Sequence, residues 1–422
     1  MENTKHIHFI GIGGIGMSAL ARLFLHEGKQ VSGSDRAPSD ITKALETEGV
    51  RFFSPQVADN VTDDIDMVVY TEAMPKDHPE MVAAQKLGVK MVNYFEALGD
   101  IVNQYYLIAI AGSHGKTTTT AMMTDVFESA GKDPTAIIGS LRSKTKSNFR
   151  AGKSQYAIVE ACEYKRDFLS LAPTVLVITN IELEHVDYYK SLEDVQSAFR
   201  ALAEKVPENG AIVANLSDAN VRPVVEGLRC TVIDYSKFLD PLLDLKQPGL
   251  HNQMNAAAVI ATAVNDGIDP MQIRIALEKF MGTWRRFEYK GEVNGAPVYD
   301  DYGHHPTEIR VTLQGTREMF PERKILLVYQ PHLDSRTEKL FDDFVTALGS
   351  ADHLILYPAY VARAVGGSHD STEKLASAID GAEYLESFEA IEKRVREIAS
   401  EEYIVLVMGA GDITKVAAQL VN

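Results

Sequence analysis

At 422 residues the chain is longer than one hydrophobic core usually organises, so roughly two to four domains are expected, with three the natural division. Hydrophobic residues make up 45% and charged residues 24%, the balance of a globular protein, and a formal charge of −17 argues against nucleic acid or an anionic membrane as partner. Two cysteines, Cys162 and Cys230, are too few for a disulfide framework or a four-ligand zinc site and fit a reducing, cytoplasmic setting.

Short apolar runs alternate with longer amphipathic stretches, the mark of strand–helix units around parallel sheets and hence of an α/β protein. The first block reads as strand 7–10, helix 15–25, strand 31–33, helix 39–48 and strand 67–70. The second opens with strand 107–111, continues through strands 156–160, 175–179 and 211–214, and closes with helix 253–264; 238–247 reads as loop. The third has strands near 298–300, 325–329, 353–356 and 404–408, each followed by a helical pattern. Boundaries fall near Asn103 and Thr283, giving domains 1–103, 104–283 and 284–422. The apolar runs are far shorter than the ~20 residues a membrane span needs. The opening segment lacks the basic stretch, apolar run and cleavage site of a signal peptide.

Two glycine loops carry the chemistry. Gly11, Gly13 and Gly16, with Gly14 and Ile15 among them, form G-x-G-x-x-G between a strand and a helix, and Asp35 ends the next strand about 20 residues on. Glycines allow a close backbone approach, and the helix N-terminus favours a diphosphate. The pattern does not choose between a nicotinamide dinucleotide, which would make the chain an oxidoreductase, and a UDP-sugar. A purely structural turn is the third possibility.

The second loop, Gly112-Ser113-His114-Gly115-Lys116-Thr117-Thr118, follows the strand LIAIA and leads into a helix. Backbone N–H groups there can cradle phosphates, Lys116 supplies a point charge and Thr117 can ligate Mg²⁺. Its two glycines stand three residues apart, whereas the general P-loop spacing is five, so this is a shorter variant.

GSHGKTT resembles the GTHGKTT loop of the Mur ligases of peptidoglycan synthesis. The segments GIGGIGMSALA, GLHNQMNAAA, RRFEY, DDYGHHPTEI, QPHLDSRT and GAGDI follow in that family's order over essentially the whole chain. They are most similar to the subtype joining L-alanine to UDP-N-acetylmuramate. The resemblance implies a Rossmann-like UDP-binding domain, a central P-loop-type ATPase domain and a C-terminal Rossmann-like domain for the amino acid. It also implies a reaction: ATP phosphorylates the lactyl carboxylate of the UDP-sugar, and an amine, L-alanine or another acceptor, attacks the acyl phosphate.

By the same resemblance Gly11, Gly13, Gly14, Ile15, Gly16, Ser34, Asp35 and Thr71 hold the UDP-substrate. Gly112, Ser113, His114, Gly115, Lys116, Thr117, Thr118, Asn252, Asn255, Arg286 and Asp301 hold ATP. Lys116, Glu160 and His185 are the catalytic set, and Thr117, Glu160 and His185 hold magnesium. Tyr302, His304 and Arg336 surround the amino acid. A monomer or homodimer is expected.

Three departures stand out. Leu333 and Asp334 occupy QPHLDSRT where the pattern QPHRYSRT has a second basic residue. EACEYKRD replaces EADESD, so Cys162, read as a small buried residue, stands at an acidic position. Glu184 replaces an aspartate before His185. EYKRDF leans toward a related ligase that adds a murein tripeptide. An oxidoreductase leaves GSHGKTT without a role, and a non-catalytic ATP-binding protein sits poorly with the presence of Lys116, Glu160 and His185.

Overall fold

The computed structural model describes residues 4–71, 74–186, 188–360 and 370–421. Among them three sheets form. The first comprises β1 (His6–Ile10), β2 (Gln30–Ser34), β3 (Arg51–Phe53), β4 (Met67–Tyr70) and β5 (Lys90–Asn93), ordered β3-β2-β1-β4-β5 and parallel throughout. The second comprises β6 (Tyr106–Ala111), β7 (Thr135–Arg142), β8 (Ser147–Arg150), β9 (Tyr156–Glu160), β10 (Val175–Ile178), β11 (Ala211–Ala214) and β12 (Thr231–Asp234). Its order is β12-β11-β10-β6-β9-β7-β8, with only β8 antiparallel. The third comprises β13 (Glu288–Val293), β14 (Ala296–Asp301), β15 (Lys324–Tyr329), β16 (His353–Leu356), β17 (Glu383–Tyr384) and β18 (Tyr403–Met408). It is ordered β13-β14-β18-β15-β16-β17, with β13 antiparallel.

Central strands such as β6 (YLIAIA) and β18 (YIVLVM) are buried along nearly their whole length. A parallel sheet covered on both faces requires such continuous apolar runs, and these are the strands visible in the sequence. β3, β5, β7, β8, β12, β13 and β17 are not visible there. All but β7 are sheet edges, where one side meets water and no apolar run is needed. In β7, Gly139 and Ser140 interrupt the run. Helix starts follow cap chemistry: Ser39 and Asn93 form capping boxes, and Asp269 precedes Pro270. The last helix of the central block, Leu250–Asn265, begins three residues before its expected start, just after Gly249 at φ 90°. Residues 239–249 form no helix or strand, as expected for most of 238–247. No described helix is long and apolar enough to cross a membrane.

The chain divides into two compact units, 1–243 with 254–281 and 244–253 with 282–422. In the first unit one continuous core runs from the N-terminal sheet (Leu20, Phe24, Leu98) to the central one (Leu107, Phe168, Phe199). Buried Asn148 in β8 donates to Ile15 O (2.6 Å) and Ser18 Oγ (2.9 Å) and accepts from Arg22 (2.7 Å), joining the helix Ile15–His26 to the central sheet. Asn103, the expected boundary, is bonded to Ser170 and Ala172 of the central segment. In the second unit both faces of the third sheet are covered, one by Leu313, Phe344 and Leu375, the other by Ile391, Val395 and Val416.

Candidate active site

β6 delivers the loop 112–118 to the carboxyl edge of the central sheet, where ligands of open α/β sheets gather. Gly112 has φ 139° and Gly115 φ 81°, conformations that a side chain would strain. A Cβ on Gly115 would also run into the Asn255 carboxamide, and one on Gly112 into Thr179 Oγ1. The helix Lys116–Ser129 starts at Gly115 with no side-chain cap, so its first N–H groups face a position suited to phosphate. Neighbours from the end of β10 fix the loop: Thr179 Oγ1 donates to His114 O (2.6 Å), Asn180 Oδ1 accepts from His114 N–H (2.9 Å), and Ser113 bonds the backbone of Glu182.

The structure brings Lys116, Thr117, Glu160 and His185 together in the first unit. Thr117 Oγ1 donates to Glu160 Oε2 (2.9 Å), and Gly139 N–H donates to the same oxygen (3.0 Å). A hydroxyl beside a carboxylate is an oxygen donor set of the kind magnesium takes. Lys116 Nζ donates to the carbonyls of Gly112 and Ser113.

Glu163 joins the two halves of the site. Its buried carboxylate lies 3.1 Å from Lys116 Nζ and 3.3 Å from His185 Nε2. Burial pushes the Glu163 pKa up, but the positive charges of Lys116 and His185 prevail and hold it down at about 2. Burial pulls Lys116 and His185 the other way. Glu163, Glu184 and Glu160 outweigh it at Lys116, whose pKa is raised. Hydrogen bonds to Cys162 and Glu163 with the Glu163 charge outweigh it at His185, which is raised to about 10. In this state His185 therefore carries a proton, which must leave before the ring can hold a cation. Its backbone, at φ 51°, is in the left-handed region that costs a non-glycine residue about 1–2 kcal/mol. Cys162 corrects the sequence expectation: it is half-buried, and its sulfur lies within 4.8 Å of the His185 and Glu163 ligand atoms, because the turn after β9 brings it to the site.

The first glycine loop lies in the same unit. Gly11 N–H and Ile12 N–H both donate to Ser34 O (2.8 and 3.0 Å), and Gly13 N–H donates to Asp35 Oδ2 (2.8 Å). Asp35 thus closes the loop, with its other oxygen on the Arg36 N–H. Gly14 starts the helix Ile15–His26 without a side-chain cap. A Cβ on Gly11 would lie 3.2 Å from Thr71 Cγ2, and one on Gly16 3.2 Å from the Tyr94 ring. Ser34 Oγ donates to buried Glu80 (2.5 Å).

The second unit gathers Arg286, Asp301, Tyr302, His304 and Arg336. Both Asp301 oxygens accept backbone N–H groups, from Phe287 (2.8 Å) and Gly303 (2.7 Å). Burial raises its pKa to about 6 against the charge of Arg286. The guanidinium groups of Arg285 and Arg286 each lie 5.2 Å from the Tyr302 ring centre. His304 packs edge-on against Tyr302 and His332, and burial drives the two histidines down to about 3 and 4, so both are neutral. Arg336 Nη1 is buried without a hydrogen-bond partner among the described residues, which suits an incoming carboxylate. Leu333 caps the helix Asp334–Lys339 at φ 68°. Asn252 donates to Pro248 O (2.8 Å) in this unit, whereas Asn255 lies with the first.

Sequence reasoning missed Glu163, Asn180, Tyr94 and His332. Thr179 and Asn180, polar residues ending the apolar run VLVI, carried a signal; Glu163 and Tyr94 carried none.

Family models match the chain in three consecutive pieces: Mur ligase family, catalytic domain, at residues 6–106; Mur ligase middle domain at 110–241; and Mur ligase, glutamate ligase domain, at 285–411. A UDP-N-acetylmuramate–L-alanine ligase of Agathobacter rectalis is 40% identical, with 99% of this chain and 98% of the relative covered. One from Alkaliphilus metalliredigens is 39% identical over 99% and 97%. The crystal structure of a UDP-N-acetylmuramate–alanine ligase from Thermotoga maritima superposes with a TM-score of 0.83 at 30% identity, covering 99% and 98%. A murein peptide ligase from Psychrobacter arcticus shares the fold, with a TM-score of 0.73 at 23% identity over 99% and 98% of the two chains. With three domain matches in order and full-length relatives, the chain belongs to the Mur ligase family.

Proposed function

We propose that this protein joins the amine of L-alanine to the lactyl carboxylate of UDP-N-acetylmuramate at the expense of ATP. The observation that carries the reading is the phosphate loop whose Lys116 is held by Glu163 beside Thr117, Glu160 and His185. The domains run 1–103 for the UDP-sugar, 104–283 for ATP and 284–422 for the amino acid.

A carboxylate resists attack by an amine because its leaving group would be oxide. Transfer of the γ-phosphoryl of ATP to one carboxylate oxygen gives an acyl phosphate and ADP. The neutral amine then adds to the carbonyl carbon, and the tetrahedral adduct loses phosphate and a proton to leave the amide. Such chemistry asks the protein for position and charge rather than for a covalent intermediate of its own. The open N–H groups at Gly115 and Lys116 cradle phosphate, and Lys116 follows the charge as it moves to the transferred group. Thr117, Glu160 and His185 are the residues that would hold magnesium, which when bound would neutralise negative charge during the transfer. Gly11, Gly13, Gly14, Ile15, Gly16, Ser34, Asp35 and Thr71 receive the UDP moiety. Asn252, Asn255, Arg286 and Asp301 complete the nucleotide site. Arg336 takes the carboxylate of L-alanine, with Tyr302 and neutral His304 beside it.

Heavy-oxygen label placed in the lactyl carboxylate tests the reaction. Appearance of one labelled oxygen in the released phosphate per amide formed is expected. Amide formation with unlabelled phosphate would remove the acyl phosphate from the account.

A further inference from the structure

Cys162 has no task in the ligase reaction, yet it is aimed at His185. The ligand atoms of Cys162, Glu163 and His185 all lie within 4.8 Å of one another. Zinc bonds of about 2.0–2.3 Å in a tetrahedron place ligand atoms ~3.3–3.8 Å apart. The His185 Nε2–Glu163 Oε1 separation, 3.3 Å, already meets that edge, while Lys116 Nζ lies 3.1 Å from Oε2 and 3.4 Å from Oε1 of the same carboxylate. Among the described residues Glu163 Oε2, although buried, accepts no hydrogen bond and has only its ion pair with Lys116.

We propose that Cys162, Glu163 and His185 form a binding site for a thiophilic divalent cation, zinc in the first place, which shares His185 with the set that would hold magnesium but offers a thiolate in place of the Thr117 hydroxyl and Glu160 carboxylate. The Cys162 thiolate is the ligand that selects zinc over magnesium, since magnesium has little affinity for sulfur. On binding, the thiol gives its proton to solvent as the sulfur–metal bond forms, and the His185 ring proton leaves likewise. Zinc there engages His185 and one oxygen of Glu163, the groups that organise Lys116, so occupancy inhibits the enzyme. Three protein ligands leave a fourth position for water.

The proposal goes beyond the ligase reading, and its test reads binding, so either can fail alone. Cobalt(II) is titrated into the full-length, tag-free chain without nucleotide. A near-ultraviolet sulfur-to-cobalt charge-transfer band is expected, abolished by zinc but not by excess magnesium. It should vanish in Cys162→Ser and persist in Cys230→Ser. A band that survives Cys162→Ser, or no band in the unaltered chain, overturns the site. A second measurement needs no variant: alkylation of Cys162 by N-ethylmaleimide, followed by peptide mass spectrometry. Zinc at ten times its dissociation constant should slow that alkylation by about tenfold, the free fraction being about one in eleven, and magnesium should leave it unchanged. An alkylation rate indifferent to zinc also overturns the proposal.

Discussion

Lys116 is held by two backbone carbonyls of its own loop and by Glu163, a hold that phosphate must replace. Lys116→Ala is expected to lower turnover at least ~100-fold, the usual loss for one preorganised electrostatic group. Steady-state kinetics with saturating ATP check this, and near-normal turnover would take Lys116 out of the phosphate's path. Glu163 acts through its neighbours and is a positioning residue. Its folded pKa, about 2, lies below the ordinary 4.5, so its contribution to stability is present above 4.5 and fades as pH falls toward 2. His185, raised from 6.5 to about 10, contributes fully below 6.5 and loses its share as pH rises through 10. The pair is therefore strongest between 4.5 and 6.5. In Glu163→Gln activity should fall by roughly 10–100-fold, the common cost of losing a carboxylate that orients a histidine. Nuclear magnetic resonance should show the His185 ring, protonated throughout from about pH 5 to about pH 8 in the native protein, now titrating within that span. An unchanged titration would refute the pairing. Lys116 and Thr117 could be expected because the loop is contiguous in sequence, and Glu160 because the family resemblance marks that strand end. Glu163 was not legible: its approach to Lys116 depends on the turn after β9, where Lys165 and Arg166 take left-handed backbone at φ 53° and 63°.

The loop 112–118 works as an element because two of its residues have no side chain. Gly115→Ala forces a Cβ into left-handed backbone, at about 1–2 kcal/mol, and against Asn255 as well. A lower melting temperature and weaker ATP binding in calorimetry are expected together; ATP affinity equal to that of the native chain would show the cradle is not built this way. At this scale the sequence was legible where a buried strand is also an unbroken apolar run, as in β6, β15 and β18, but not in β7, which Gly139 and Ser140 interrupt. Edge strands such as β3 and β17 escaped, since half-exposed strands of two or three residues leave no periodicity to read. Both glycine loops were legible from their spacing, but the bond by which Asp35 closes the first one on Gly13 N–H was not.

Across the whole molecule, the plan of three sheets in chain order follows from alternating strand and helix patterns. The union of the first two sheets in one compact unit does not, because it rests on contacts between residues far apart in sequence: a shared apolar core, and polar bonds more than a hundred positions apart, as between Asn148 and both Ile15 and Arg22. Asn148→Ala leaves those partners unsatisfied in a buried place. Chemical denaturation should report a loss of about 1–3 kcal/mol, and a change below roughly 0.5 kcal/mol would show that the apolar core alone unites the sheets. In the proposed reading Arg336 takes the acceptor's carboxylate, since Leu333 supplies no second cation, and L-alanine is the amine it is expected to favour. The most direct measurement is phosphate release with UDP-N-acetylmuramate, ATP and Mg²⁺, comparing L-alanine, glycine, L-serine, murein tripeptide and no amine. Release that requires the UDP-sugar and an amine, fastest with L-alanine, is the predicted result; no amine-dependent release with any acceptor would contradict the account.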